Sequence, residues 1–155
     1  GAKNLGEMLL DHEVDDPDTI PRLPRVCILD AWGVKATGAN LKKIVLDTLQ
    51  RYPKIEAVIL ESNQGGDLWL EVLNDLPVKL ITFGSYEKKE VRFARAHSFY
   101  QKRRVLHARV FRQFEDQATS YPKVAHDDVL DAVCAGVLRL LKPRPDRKNS
   151  TMRQR

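Results

Sequence analysis

The stretch IEAVILESNQGGDLWLEVLNDLPVKLITFG, residues 55–84, shows how the whole chain is organised. It opens with AVILE, a run of aliphatic and β-branched residues that is typical of a buried strand. Glycines then lead into DLWLEVLNDL, whose apolar spacing predicts a helix with Asp67 able to cap it, and VKLITFG predicts the next strand. A strand, a helix and a strand in succession indicate an α/β fold with a largely parallel sheet.

The same alternation continues on both sides of this stretch. Before it, RVCILDAWGV (25–34) predicts a strand, and NLKKIVLDTLQRY (40–52) predicts a helix with Asn40 as its N-cap. After it come a helix at 88–105, a short strand at 105–110 and two helices at 111–121 and 126–141. The helical spacing at 88–105 is carried by Val91, Ala94, Arg95, Ser98 and Phe99. We therefore expect one domain at 25–141, between an acidic arm at 1–24 and a basic, disordered tail at 142–155.

Composition narrows the class of protein. The chain has 155 residues, of which 43% are apolar and 30% charged, as in an ordinary soluble domain. Its apolar runs are short and broken by charge, so we expect no membrane span and no secretory leader. Cys27 and Cys134 lie singly in apolar stretches, where we expect them to be core residues in a reducing cytoplasm rather than a disulfide or zinc ligands.

The net charge of +5 is distributed unevenly along the chain. Acidic residues crowd the stretch before Pro21, whereas basic residues concentrate at 88–112 and after Leu141. Basic patches of this kind favour a polyanion such as DNA, whose phosphates bind them through the release of counterions. A solvated basic face explains the charge alone equally well.

Several acids stand where chemistry is expected. Glu61 closes the strand AVILE and Asp30 closes VCILD, and the C-terminal ends of strands are where α/β sheets bind ligands. Asp128 and Asp131 are three residues apart at the start of the last helix and should share a face. Carboxylates from strand ends and a helix suit hard cations, and shared carboxylates can hold two such ions for phosphodiester hydrolysis.

Each acid also has a plainer interpretation. Glu61 could be an exposed residue of a strand-to-helix turn, and Asp127 or Asp128 could serve only as an N-cap. Asp131 lies among apolar neighbours and therefore needs a partner or a cation. We interpret the histidines as surface or satisfied core residues, and no Gly-Lys-Ser/Thr phosphate loop occurs, so an ATPase would have to lie elsewhere.

Several motifs, taken in order, resemble the C-terminal nuclease domain of phage terminase large subunits. VILESNQGGD (58–67) is similar to their glutamate-bearing strand and turn. KEVRFARAHSFYQKRRVLH (89–107) resembles their Lys-x-x-Arg helix with its basic turn and valine-histidine strand. FEDQATSY (114–121) and HDDVLDAVCAGVLRLL (126–141) resemble the two elements that follow. The resemblance covers about residues 25–141 and implies a ribonuclease H-like layered fold, with a central mixed sheet flanked by helices.

The resemblance also implies an activity and its setting. It implies an endonuclease that uses two Mg²⁺ or Mn²⁺ ions to cut concatemeric double-stranded viral DNA. The terminase ATPase domain, the small terminase subunit and the portal would be its partners, at the procapsid in the host cytoplasm. The implied catalytic and metal-binding residues are Glu61, Asp128, Asp131 and Asp30, with Asp127 as a further metal ligand. The implied DNA-binding residues are Lys89, Arg92, Arg95, Arg103 and Arg104.

One family feature lacks an obvious counterpart. In the family the first catalytic Asp lies on an earlier strand, whereas CILD, which ends at Asp30, aligns with the third strand. Asp30 substitutes for it, or that strand lies within residues 1–24, or the chain lacks it. Two other functions stay open: a catalytically silent DNA-binding or packaging module, and another ribonuclease H-like nuclease such as a resolvase.

Overall fold

The computed structural model of the chain describes residues 24–61, 66–84 and 87–141. Within these ranges short strands alternate with helices, so the α/β class expected from the sequence is confirmed. The predicted tail and, except for Pro24, the predicted arm lie outside the described residues. In chain order the elements are β1 (Val26–Ile28), α1 (Gly38–Arg51), β2 (Ala57–Glu61), α2 (Gly66–Val72), β3 (Lys79–Phe83), α3 (Lys89–Gln101), β4 (Val105–His107), α4 (Arg112–Ser120) and α5 (Asp128–Leu141).

The strands pair as two parallel ribbons. β1 pairs with β4, which aligns Val26 with Val105, and β2 pairs with β3, which aligns Glu61 with Phe83. Among the described residues each sheet has two strands, where the sequence led us to expect one central mixed sheet. The chain divides into two compact units. We call residues 34–61, 66–84 and 87–88 the central unit, and residues 24–33 and 89–141 the terminal unit.

The central unit contains the β2–β3 ribbon with α1 and α2. The two strands run parallel because α2 lies between them in the chain and returns the backbone to the same edge. α1 begins at Gly38, two residues before the predicted N-cap Asn40, and Thr37 takes the N-cap position. The carbonyl of Thr37 accepts a hydrogen bond from the amide of Leu41 at 2.7 Å. α1 ends at Arg51, close to Pro53, as the sequence predicts.

The terminal unit is built around α5. The apolar face predicted for this helix is confirmed, because Val129, Leu130, Val133, Val137 and Leu141 are all buried. α4 adds Phe114 and Ala118 to the same core, and the β1–β4 ribbon adds Val26 and Val105. Burial of these apolar side chains is the main driving force for folding this unit. None of the helices formed by the described residues is long and apolar enough to cross a membrane.

The helix α3 forms where the sequence predicts it but buries a different face. Val91, Ala94 and Arg95, whose spacing predicts the helix, are exposed. The residues that it buries are Arg92, Phe93, Ala96 and Tyr100. Partners on other elements decide this orientation, since Arg92 binds Asp131 of α5 and the ring of Phe93 meets that of Tyr121 edge-on.

The first strand also differs from its prediction. β1 covers three residues of the ten-residue run, and side chains alternate across it as the pleat requires. Val26 is therefore buried and Ile28 half-buried, whereas Cys27 points to the other face and is exposed. The expectation that Cys27 is a core residue was wrong, and the same expectation for Cys134 is confirmed.

Candidate functional site

The start of α5 carries three aspartates in different surroundings. Asp127 stands just before the helix, and its carbonyl accepts the amide of Asp131 at 2.8 Å. Asp127 and Asp131 are four residues apart, lie on one side of the helix and share a basic partner. Asp128, which the sequence led us to pair with Asp131, is exposed. Within the part of the chain that the structure describes, the Asp128 carboxylate has no ion-pair partner.

The basic partners of these aspartates come from the first turn of α3. The Nζ of Lys89 lies 2.8 Å from Oδ1 of Asp127 and 3.6 Å from Oδ2 of Asp131. The Nη2 of Arg92 lies 3.2 Å from Oδ1 and 3.4 Å from Oδ2 of Asp131. Two basic residues thus face two carboxylates and balance their charge. The partner that Asp131 needs among its apolar neighbours is therefore supplied by basic side chains of the chain itself.

The two basic side chains differ in their access to water. The Arg92 side chain is 10% exposed, whereas the side chain of Lys89 is 38% exposed. The hydrogen bond to Asp127 raises the pKa of Lys89, and partial burial opposes that rise. Lys89 is therefore an ammonium ion at neutral pH.

Asp30 lies beyond the C-terminal end of β1. Its Oδ1 accepts a hydrogen bond from Nη2 of Arg109 at 2.7 Å and another from the amide of Ala31 at 3.0 Å. Arg109 follows β4 as Asp30 follows β1, so the parallel pairing of these strands brings the two side chains together. The guanidinium of Arg109 also lies over the ring of Phe111, 5.3 Å from its centre, which is close enough for a cation–π contact.

The loop after β1 is held against both neighbouring helices. The amide of Gly33 donates to Oε1 of Gln113 at 2.7 Å, and Nε2 of Gln113 donates to the Gly33 carbonyl at 3.3 Å. A Cβ atom built on Gly33 would lie 3.0 Å from Cγ2 of Val129, so glycine permits this close approach. Asp30 is three residues from Gly33, and Val129 is in the first turn of α5. The end of β1 and the start of α5 therefore meet at one end of the terminal unit.

Two glutamines position these elements, and neither stood out in the sequence. Gln113 holds the Gly33 loop, and Oε1 of Gln117 accepts the amide of Leu130 at 2.9 Å. The Leu130 amide is one of the first amides of α5, which have no partner within their own helix. The signal for this cap was Gln117 in the FEDQ motif, but its partner lies thirteen residues further along the chain.

Glu61 is the last residue of β2 and is half-buried. It stands at the C-terminal end of the parallel β2–β3 ribbon, opposite Phe83. Glu61 belongs to the central unit, whereas the four aspartates belong to the terminal unit. The convergence of Glu61 with the aspartates stays a prediction.

The basic residues expected to contact DNA fall into two groups. Lys89 and Arg92 lie beside the aspartates, and Arg92 is turned inward towards Asp131, a placement that suits an ion pair better than a phosphate contact. Arg95 is exposed on α3. Arg103 and Arg104 lie in the turn before β4, at the other end of the β1–β4 ribbon from Asp30.

The turn that contains Arg103 and Arg104 is well anchored. Arg103 has a φ of 56°, in the left-handed region, and its amide donates to the Tyr100 carbonyl at 2.9 Å. The Nε of Arg104 donates to the carbonyl of Pro24 at 3.0 Å, and its guanidinium lies 5.1 Å from the ring centre of Phe99. The backbone of Arg103 and the side chain of Arg104 are therefore both held in place.

A partly buried pair, Tyr100 and His107, lies apart from these acids. The Tyr100 hydroxyl is 2.7 Å from Nε2 of His107, and the rings of Phe111 and Phe114 surround the imidazole. Burial lowers the pKa of His107 and raises that of Tyr100. His107 is a satisfied histidine that packs on the core, in agreement with its interpretation from the sequence.

The aspartates at the start of α5 have the chemistry that a divalent cation requires. Carboxylate oxygens are the preferred ligands of Mg²⁺, and the Asp127–Asp131 pair already holds a cation in the form of the Lys89 ammonium. In the ranges 24–61, 66–84 and 87–141, no three Asp, Glu, His or Cys side chains converge on one point. No family model, curated protein or solved structure matches the chain significantly.

Proposed function

We propose that the chain is a metal-dependent DNA endonuclease module with a ribonuclease H-like layered fold, of the kind found in phage terminase large subunits. One observation carries the proposal: the loop that follows Asp30 reaches the first turn of α5, where Gly33 approaches Val129 and binds Gln113. Asp30 itself lies beyond the C-terminal edge of a parallel ribbon, which is where α/β folds bind ligands. Glu61 has the corresponding position on the ribbon of the central unit.

Glu61 and Asp128 are the acids that we propose as the first ligands of the metal. Asp128 is exposed and lies at a helix start, so its carboxylate can turn towards a ligand without breaking an ion pair. Asp30 joins them, because it stands beyond the C-terminal end of β1, where α/β folds bind ligands, and its partner Arg109 has a 58% exposed side chain. Asp127 and Asp131 form a second pair that becomes available when Lys89 moves. Two Mg²⁺ or Mn²⁺ ions at these acids would supply an activated water and stabilise the leaving oxygen.

The half-buried Arg103 and Arg104 and the exposed Arg95 supply the affinity for the DNA backbone in this proposal. The β1–β4 ribbon with its flanking residues, from Arg25 to Asp30, spans roughly 16–20 Å at about 3.3 Å per residue. The phosphates of each DNA strand are about 3.4 Å apart when measured along the helix axis, so this span matches roughly five of them. In this proposal a single duplex contacts Arg103 and Arg104 at one end of the ribbon while the phosphodiester to be cut lies near Asp30 at the other end. Arg95 adds a further basic contact.

The setting that we propose follows from the order of the motifs. The substrate is concatemeric double-stranded viral DNA, cut at the procapsid in the host cytoplasm. The terminase ATPase domain, the small terminase subunit and the portal are the proposed partners. Because phosphate contacts carry no sequence information, the arginines would fix the register of the DNA rather than the site of cutting.

Nicking of supercoiled plasmid tests the proposal. The purified chain is incubated with plasmid and with MgCl₂ or MnCl₂, beside the variants Glu61→Gln and Asp128→Asn. Either variant should lower the nicking rate by at least about 100-fold, since loss of even a supporting residue of a metal site costs about 10–100-fold. Asp116→Asn is the matched control, because Asp116 is an exposed carboxylate on α4. Unchanged nicking by either site variant would refute its assignment.

A catalytically silent DNA-binding module is the second candidate, and one observation favours it. Lys89 and Arg92 already neutralise Asp127 and Asp131, which is the arrangement of a structural charge network. Such a module would retard plasmid in a gel at low salt yet leave it uncut at every concentration of Mg²⁺ or Mn²⁺. That combination of results would replace the endonuclease proposal.

A further inference from the structure

The ammonium group of Lys89 lies between two carboxylates. Its Nζ is 2.8 Å from Asp127 and 3.6 Å from Asp131, and these aspartates are one helical turn apart on α5. A divalent cation bound to the same oxygens would lie roughly 2.0–2.6 Å from each of them. The ammonium and such a cation would then occupy the same small volume and repel each other, so only one of them can be held there at a time.

We propose that Lys89 is a built-in counter-ion that competes with divalent cations for Asp127 and Asp131. This inference rests on the proposed function, because it names the residue that controls access of the metal to part of that site. Lys89 is a positioning residue in this account, since it acts through the aspartates. Metal binding at this pair then requires the Lys89 side chain to leave.

The two basic residues of α3 have different parts in this competition. Arg92 is 8% exposed and contacts both carboxylate oxygens of Asp131, so it would have to break a buried ion pair in order to leave. The Lys89 side chain is 38% exposed, and its flexible stem can carry the ammonium into water. Lys89 is therefore the movable cation, and Arg92 keeps Asp131 oriented while Lys89 is away.

Direct measurement of Mn²⁺ binding by the whole chain tests the competition. Free Mn²⁺ is followed by its electron paramagnetic resonance signal during titration of the wild type, Lys89→Gln, Lys89→Arg and the control Lys88→Gln. Lys88 is exposed, so its substitution makes the same change in charge one residue away. Lys89→Gln should bind Mn²⁺ on the order of tenfold more tightly than the wild type, equivalent to ~1.4 kcal/mol. Lys89→Arg and Lys88→Gln should keep the wild-type affinity, because each retains a cation between the carboxylates.

A second measurement uses the wild type alone and does not depend on the folding of any variant. Acylation of lysines by an activated ester, read out by peptide mass spectrometry, reports how accessible each amine is. Saturating MnCl₂ should raise the labelling rate of Lys89 and leave that of Lys88 unchanged. Unchanged labelling of Lys89 at saturation would overturn the inference, as would equal Mn²⁺ affinity in Lys89→Gln and the wild type.

The nicking assay separates this inference from the proposed function. A wild type that nicks plasmid, with a Lys89→Gln variant that gains no Mn²⁺ affinity, would overturn the competition and keep the nuclease. A Lys89→Gln variant that gains Mn²⁺ affinity, in a chain that never nicks DNA, would keep the competition and overturn the nuclease.

Discussion

Replacing Arg92 with methionine tests whether the ion pair between α3 and α5 stabilises the terminal unit. Arg92 is 8% exposed, and its Nη2 lies 3.2 and 3.4 Å from the two oxygens of Asp131. Removing one member of a fully buried pair costs about 3–5 kcal/mol, because the other charge is left without compensation. The Asp131 side chain is 17% exposed and keeps Lys89 at 3.6 Å, so we expect a loss of roughly 2–3 kcal/mol. For a chain of 155 residues this loss lowers Tm by roughly 4–12 °C.

A double-mutant cycle separates the ion pair from the packing of the arginine stem. Asp131→Leu should destabilise the unit to a similar extent, since it leaves the Arg92 guanidinium buried without its carboxylate. The double variant Arg92→Met/Asp131→Leu should lie close to the wild type, because apolar groups of similar volume often replace a buried ion pair at little cost. Because the double variant then recovers both single losses, the coupling energy should reach about 4–6 kcal/mol.

Urea unfolding of the four proteins, followed by circular dichroism, gives the free energies of unfolding for this cycle. Arg112→Met is the matched control, because Arg112 is an exposed arginine on α4, and surface changes of this kind usually stay within about 0.5 kcal/mol. Losses that simply add in the double variant would refute the reasoning, since they would show that Arg92 and Asp131 do not stabilise each other.

Three further predictions concern side chains away from this pair. Ellman's reagent should modify the exposed Cys27 at once and Cys134 only on unfolding, since burial raises the pKa of Cys134 to about 12 and leaves about one thiolate in 10⁴ at pH 8. Burial lowers the pKa of His107 in the folded state below 6.5, so the unfolded chain binds the proton first as the pH falls. Tm should therefore be constant above pH 6.5 and decrease below it, and the decrease should be smaller in His107→Gln. Gln117→Ala should cost about 1 kcal/mol in urea unfolding by removing the partner of the Leu130 amide, and exposed Gln101→Ala much less.

The sequence predicts elements well where one pattern decides them. α5 has an apolar face so regular that the spacing alone identifies five core residues, and all five are buried. Cys27 shows the limit of this reasoning. A continuous apolar run does not reveal which side of the pleat will be covered, and that depends on what packs against each face of the β1–β4 ribbon.

In the candidate site, the sequence identified the charged residues but not which of them form ion pairs. The sequence identified Asp127, Asp128 and Asp131 as acids at a helix start. The partners of Asp127 and Asp131 come from α3, nearly forty residues earlier in the chain. Lys89 and Arg92 are three residues apart on one helix, and Asp127 and Asp131 are four apart on the next, so each pair presents one face. That complementary spacing was visible in the sequence. Only the contact between α3 and α5 shows that the two faces meet. Lys89 and Arg92, which the sequence led us to expect at the DNA, are ion-pair partners of these aspartates.

The ion pairs at the start of α5 separate the stability of this unit from its proposed chemistry. Asp127 and Asp131 each have a basic partner from the same chain, so the unit can fold without a divalent ion to neutralise them. Asp128 is exposed and costs the fold little, whether or not it binds a metal. A nuclease and a silent DNA-binding module could therefore share this whole arrangement of helices and acids. The plasmid assay separates the two, because a silent module leaves the DNA uncut whether or not the Lys89 ammonium gives up the carboxylates to a divalent cation.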